Sequence, residues 1–209
     1  MEVVEVAYNR VASNLTEIAN SPPVADDLRL IIPYIFIDVW AIIDALDKFR
    51  ILYQKFPNME YSVNSEMVPL AELLKSFRNI RNVQDHLYAN AQNIAATGEG
   101  AFGTLEWMTV FVDPIPSCWK CIIRPGTLDR ELDFRTESMT IILNDVTTNI
   151  TLKIAGHVGN ISMLISQLRL RIKNLEDSLG KAIKSNGLEN SPVSSDFFSR
   201  QGFVIGSYE

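Results

Sequence analysis

The chain has 209 residues, of which 47% are apolar and 21% charged, and it carries a formal net charge of −6 with a pI near 5.0. That length and apolar content predict one folded domain with a well-filled core and argue against a disordered region. The acidic balance excludes a protein that coats nucleic acid through bulk charge, while leaving room for a local basic patch.

The opening residues, MEVVEVAYNR, are acidic and lack the basic start, apolar run and small-residue cleavage site of a secretory signal, so a cytoplasmic location is expected. Val4, Ala7, Val11, Leu15 and Ile18 recur every three or four residues and predict a first helix over 3–19, ended by Pro22-Pro23. A second helix is predicted from Ala25 to Phe56. It is apolar on nearly every side between Ile31 and Leu46, which suits the centre of a bundle or a subunit interface. Pro33 either starts its main body or kinks it. Pro33, Asp38 and Asp44 interrupt this segment well short of the ~20 apolar residues of a membrane span, and no membrane association is expected. After Pro57-Asn58, Ser65 and Pro69 open a third helix that runs to about Ala96.

Beyond Thr97 the sequence turns rich in Gly, Pro and β-forming residues, with strands predicted at about 104–112, 119–124 and 137–143. Residues 149–155 read equally as a strand or a helix start. Val158, Ile161, Ile165, Leu168, Ile172, Leu175 and Leu179 then step by three and four, the pattern of a last long helix. The tail from Asn186 mixes polar residues with Phe197, Phe198, Phe203 and Val204, as an extended docking arm would. The expected fold is mainly α: a four-helix up-and-down bundle with a small β insertion, about residues 98–148, between helices three and four. One domain is expected over 1–185, followed by a C-terminal arm over 186–209.

One of the two histidines, His86, lies on the third helix. With about 100° per residue and Ile80 as reference, Leu73, Phe77, Val83, Leu87, Ala91 and Ile94 fall within about 60° of it and form the predicted buried face. Arg81 then lies near 100°, roughly, with Asp85 near 140°, Asn82 near 200° and His86 near 240°, all turned from the core. The bland reading is a solvated polar face on which Arg81 and Asp85 pair weakly at i and i+4.

The run Arg81-Asn82-Val83-Gln84-Asp85-His86 resembles the motif of the HEPN superfamily, in which arginine and a polar residue, often asparagine, are followed after three variable residues by histidine. The second helix, with IDVWAIIDALDKFR, is similar to its HEPN counterpart in placing acids in an apolar run ahead of a basic end. The likeness covers roughly residues 25–185, without the insertion and the tail being obvious parts of the shared core. It implies a helical bundle that works as a homodimer, two motifs facing each other across a cleft that cuts RNA without a metal or cofactor. It also implies a setting in toxin–antitoxin systems or phage defence, hence a possible antitoxin protein as partner.

In such a site an imidazole, with a reference pKa of ~6.5, takes or gives the proton of the 2′-hydroxyl, and His86 would fill that role. Arg81 would face the anionic phosphorane with fixed charge, and Asn82 would orient the imidazole or bond a phosphate oxygen. Lys75 and Arg78 would guide the RNA backbone, with solvated surface charges as the plainer reading. Asp38 and Asp44, acids in an apolar helix, need basic or hydroxyl partners. For Asp44 the candidates are Arg81, in a supporting role, and Lys48 at i+4.

Other signals carry less. GEGAFG at 98–103 has the spacing of a dinucleotide loop, but the strand–loop–helix order is reversed, so it reads as a helix end leading into a strand. Cys118 and Cys121 form a lone C-x-x-C without a second pair, and no metal site is expected. His157 reads as a polar residue at a helix start. Arg169, Arg171 and Lys173 give the last helix a basic side, most simply a solvated one. The leading function is thus an HEPN-type metal-independent endoribonuclease. Its rivals are a non-catalytic HEPN-like binding or dimerisation module and a helical structural protein whose motif is coincidental.

Overall fold

The computed structural model describes residues 1–21, 25–55, 70–98, 100–111, 117–126 and 146–189, and the chain divides into two compact units, Met1–Gln167 and Leu168–Glu209. The fold is mainly helical with a small four-stranded antiparallel sheet. The helices are α1 (Glu2–Asn20), α2 (Ala25–Lys55), α3 (Leu70–Asp85), α4 (Leu87–Thr97) and α5 (Ile161–Ser185). The strands are β1 (Thr104–Phe111), β2 (Ser117–Ile123), β3 (Thr147–Ile154) and β4 (His157–Asn160).

Periodicity explains the first two helices. On α1, Val4, Ala7, Val11 and Leu15 are buried as predicted, and Tyr8 joins them with its hydroxyl on Ser162 Oγ at 3.1 Å. Glu2 and Glu5 lie in the first turn, where carboxylates oppose the positive end of the helix dipole. On α2, Ile35, Phe36, Val39, Ile42, Ile43 and Leu46 are buried in the core of the first unit. Pro33 lies inside this helix rather than at its start. The predicted third helix is two: it stops at Asp85 and resumes at Leu87, with His86 between them at φ −119° and ψ 41°. At that junction the Asn90 backbone N–H and side-chain amide both donate to the His86 carbonyl, at 3.1 and 3.0 Å. Phe77, Ile80, Val83 and Ile94 are buried as expected, but Leu87 is 39% exposed and Ala91 is exposed, because the apolar stripe of α3 does not continue across the break. The Leu73 side chain lies outside the described set.

The sheet runs in the order β2-β1-β3-β4. The first two predicted strands match β1 and β2, whereas 137–143 lies outside the described residues. The ambiguous 149–155 stretch belongs to a strand, β3, so the sheet extends past the predicted end of the insertion, near residue 148, to Asn160. Ala155 and Gly156, both at positive φ (49° and 77°), turn β3 into β4 as a tight two-residue hairpin. Val158 and His157, predicted at the head of the last helix, are therefore in a strand. Asn160 caps the helix, its Oδ1 accepting from Met163 N at 2.8 Å. Gly159 brings β4 against the helix that carries the motif: a Cβ there would stand 2.7 Å from Ile80 Cδ1 and 3.1 Å from the Phe77 ring. In the second unit, α5 ends in a Schellman turn, with Leu188 N bonded to Ile183 O and Gly187 at φ 65°.

Candidate functional site

On α2, three acids interrupt the apolar run, and each has a cation. Asp38, 5% exposed, takes the guanidinium of Arg10 from α1. Asp44 lies 2.6 Å from Lys48 Nζ and 3.2 Å from Arg81 Nη2, so both of its predicted partners are present. Asp47, 6% exposed, accepts from Arg50 Nε at 2.8 Å and from Arg81 Nη1. Arg81 Nε is also 3.6 Å from Asp85 Oδ2 one turn further along α3. Three cations and three carboxylates thus form one cluster between α2 and α3.

Arg81 does not stand free on a solvated face as the wheel suggested. At about 100° from the core direction it lies on the flank that meets α2, and its side chain is only 28% exposed. Its guanidinium is held charged, above its ordinary pKa, chiefly by the hydrogen bond to Asp47. Burial alone would push the Asp47 carboxyl up. The hydrogen bonds from Arg50 and Arg81 outweigh it and hold the carboxyl below the usual range. Asp47 and Arg50 escaped the sequence reading because a wheel describes one helix at a time. The signal available was a third acid in the same apolar run, three residues after Asp44.

Beside this cluster is a depression of about 410 Å³, lined by Ile37, Trp40, Ala41, Ile43 and Asp44 of α2 and by Arg81, Gln84 and Asp85 of α3. The Trp40 indole N–H is buried and has no hydrogen-bond partner among the described residues. Asn82 and His86 are exposed, and their backbones are joined, His86 N to Asn82 O at 3.1 Å. The imidazole has no hydrogen bond or ion pair among the described residues. Lys75 and Arg78 are exposed on α3. The structure therefore gathers Arg81 with Asp44 at the depression and leaves Asn82, His86, Lys75 and Arg78 on the surface outside its lining.

Comparison with models of known families, with curated proteins and with solved structures gives no match.

The chemistry available is thus a fixed, charge-balanced guanidinium and an accessible imidazole five residues later. Among the described residues no group of three or more His, Cys, Asp and Glu is placed to hold a metal ion. Cys118 and Cys121 are three apart on strand β2, which separates their Cα atoms by about 10 Å and turns them to opposite faces, beyond the ~7 Å reach of a disulfide. Burial, and then Cys118, push the Cys121 thiol above its ordinary value, away from a reactive thiolate. GEGAFG enters β1 from α4, as predicted, with Gly98 in the left-handed conformation that ends the helix. Among the described residues, no helix is long and apolar enough to cross a membrane.

Proposed function

We propose that this protein is a metal-independent endoribonuclease of HEPN type, built as a helical bundle and acting as a homodimer. The observation that carries the reading is the placement of the Arg-Asn-x3-His run: an arginine on α3 held charged beside a depression, followed at the break between α3 and α4 by an accessible imidazole that has no hydrogen bond or ion pair among the described residues. His86 is the proton-transfer group for the RNA 2′-hydroxyl, and Arg81 supplies positive charge toward the phosphate. Asn82 steadies the imidazole or a phosphate oxygen. Asp44, joined by Asp47, supports Arg81, and Lys75 and Arg78 meet the RNA backbone. A toxin–antitoxin or defence setting, with an antitoxin partner, accords with this chemistry.

A second reading, a non-catalytic HEPN-like binding or dimerisation module, is favoured by one observation. All three guanidinium nitrogens of Arg81 face carboxylates, so much of its pull on a phosphate is already spent within the fold. The two readings part in one experiment: mixed RNA is incubated with the pure protein in EDTA and the products are examined for 2′,3′-cyclic phosphate ends. The enzyme reading expects cleavage that His86→Ala abolishes with the melting temperature unchanged. Absence of cleavage by the wild type, or cleavage that survives His86→Ala, sinks it.

A further inference from the structure

The depression between α2 and α3 is made by two facing stripes. On α2, Ile37, Trp40, Ala41 and Asp44 follow one another by three, one and three residues, and on α3 Arg81, Gln84 and Asp85 by three and one, so each set shares one side of its helix. Ile37, Trp40 and Ala41 supply an apolar wall, with the polar groups gathered beyond it. The volume of about 410 Å³ lies within the ~300–1,000 Å³ of small-ligand sites.

The donors in this lining are largely in use, and acceptors are left over. Arg81 turns Nη2 to Asp44, Nη1 to Asp47 and Nε to Asp85. Asp44 is engaged through both oxygens, by Lys48 and by Arg81. Asp85, by contrast, meets Arg81 through Oδ2 alone, at 3.6 Å, and its side chain is 54% exposed. The Gln84 side chain is exposed and its amide has no hydrogen bond among the described residues. One guanidinium and two carboxylates line the depression, a balance that repels a phosphate and suits a flat, neutral group with N–H donors along one edge.

We propose that the depression is a subsite for an unstacked guanine base. Guanine alone among the RNA bases has two adjacent donors, N1–H and the N2 amine, on its pairing edge, and a carboxylate accepts such a pair side by side as it does a guanidinium. Asp85 accepts both, the Gln84 amide donates to O6, and the ring lies along Ile37, Trp40 and Ala41. Adenine and cytosine would each turn a ring-nitrogen lone pair at the carboxylate, and uracil would turn two carbonyls at it, so the lining excludes them by repulsion as well as by lost bonds. An arginine side chain has the same paired donors but would bring a second positive charge against Arg81 in the same depression. The inference rests on the ribonuclease reading for the purpose of the subsite, base selection in RNA; the binding itself requires no cleavage.

The test is isothermal titration of the full chain with guanosine monophosphate, against inosine monophosphate, which lacks the N2 amine, adenosine monophosphate and N-acetylargininamide, the phosphate being common to the three nucleotides. Guanosine monophosphate should bind at least tenfold more tightly than any of the others. Asp85→Asn, which exchanges one acceptor for a donor, should weaken it about tenfold and improve adenosine monophosphate relative to it, with the melting temperature unchanged because the Asp85–Arg81 pair is long and exposed. Equal binding of the three nucleotides, guanosine monophosphate binding that survives Asp85→Asn, or tighter binding of N-acetylargininamide would overturn the proposal. Selective binding by a protein that leaves RNA intact upholds the subsite and sinks the ribonuclease reading. Cleavage of RNA by a protein without that selectivity does the reverse.

Discussion

Asp47→Asn should be the most damaging single change to the charge cluster, though it alters one atom at a residue outside the Arg-Asn-x3-His run. Asp47 is 6% exposed and receives hydrogen bonds from Arg50, whose side chain is 13% exposed, and from Arg81. The amide keeps one carbonyl oxygen as acceptor but directs an NH₂ group at a guanidinium, and it removes the carboxylate charge that faces Arg50 and Arg81. Charge-assisted hydrogen bonds contribute about 1.5–3 kcal/mol each, and partial exposure of Arg81 reduces its share, so a loss of about 2–3 kcal/mol is expected. For a chain of this size that is a fall of roughly 5–10 °C in melting temperature. Asp44→Asn, at a side chain 42% exposed, should cost no more than about 1 kcal/mol, as surface pairs do.

The acid limb gives an independent check. The Asp47 carboxyl lies below its ordinary value of 3.8, so its ion pairs contribute in full above that pH and are lost as pH falls through the lower folded value. The stability gap between wild type and Asp47→Asn, measured by urea unfolding, should therefore hold from pH 7 to about pH 4 and close below it. A gap that persists unchanged to pH 3, or an Asp47→Asn chain no less stable than Asp44→Asn, would refute the argument that this carboxylate ties α3 to α2.

Three further outcomes follow from the sheet. Gly159→Val places a branched side chain where a Cβ already meets Ile80 and Phe77, and should cost about 1–3 kcal/mol in thermal unfolding, with Gly159→Ala intermediate; an unchanged melting temperature would contradict the packing of β4 on α3. Ala155→Asn suits a left-handed turn position better than alanine and should add about 1 kcal/mol, or ~2–4 °C, whereas a lowered melting point would speak against the hairpin. Under iodoacetamide, followed by mass spectrometry, exposed Cys118 should be alkylated faster than Cys121, and oxidation should join no Cys118–Cys121 bridge within one chain.

Much of the fold was legible because its signals are local. The stripe on α1 and the first two strands follow from spacing and residue type within short windows. The errors occur where a pattern was continued past a local signal. Val158 happens to fit the step of the last helix, yet β3 claims it through pairing, and the true start was written in Asn160 immediately before Ile161. The apolar stripe of α3 was likewise extended through His86, where no glycine or proline marks the break and the Asn90 contacts to the His86 carbonyl are what accompany it.

The site was legible as a list of residues and not as an arrangement. Periodicity placed Arg81, Asn82 and His86 off the buried face, but it cannot see that the neighbouring helix carries Asp44 and Asp47 at the height of Arg81. That contact separates the two ends of the motif. Arg81 is bound into the packing of α2 on α3, so Arg81→Ala should lose stability along with any activity. His86 stands at the surface between helices, its ring without a bond among the described residues, so its removal should cost the fold little. A loss of RNA cleavage in Arg81→Ala therefore proves nothing about catalysis unless the same loss appears in His86→Ala at an unchanged melting temperature.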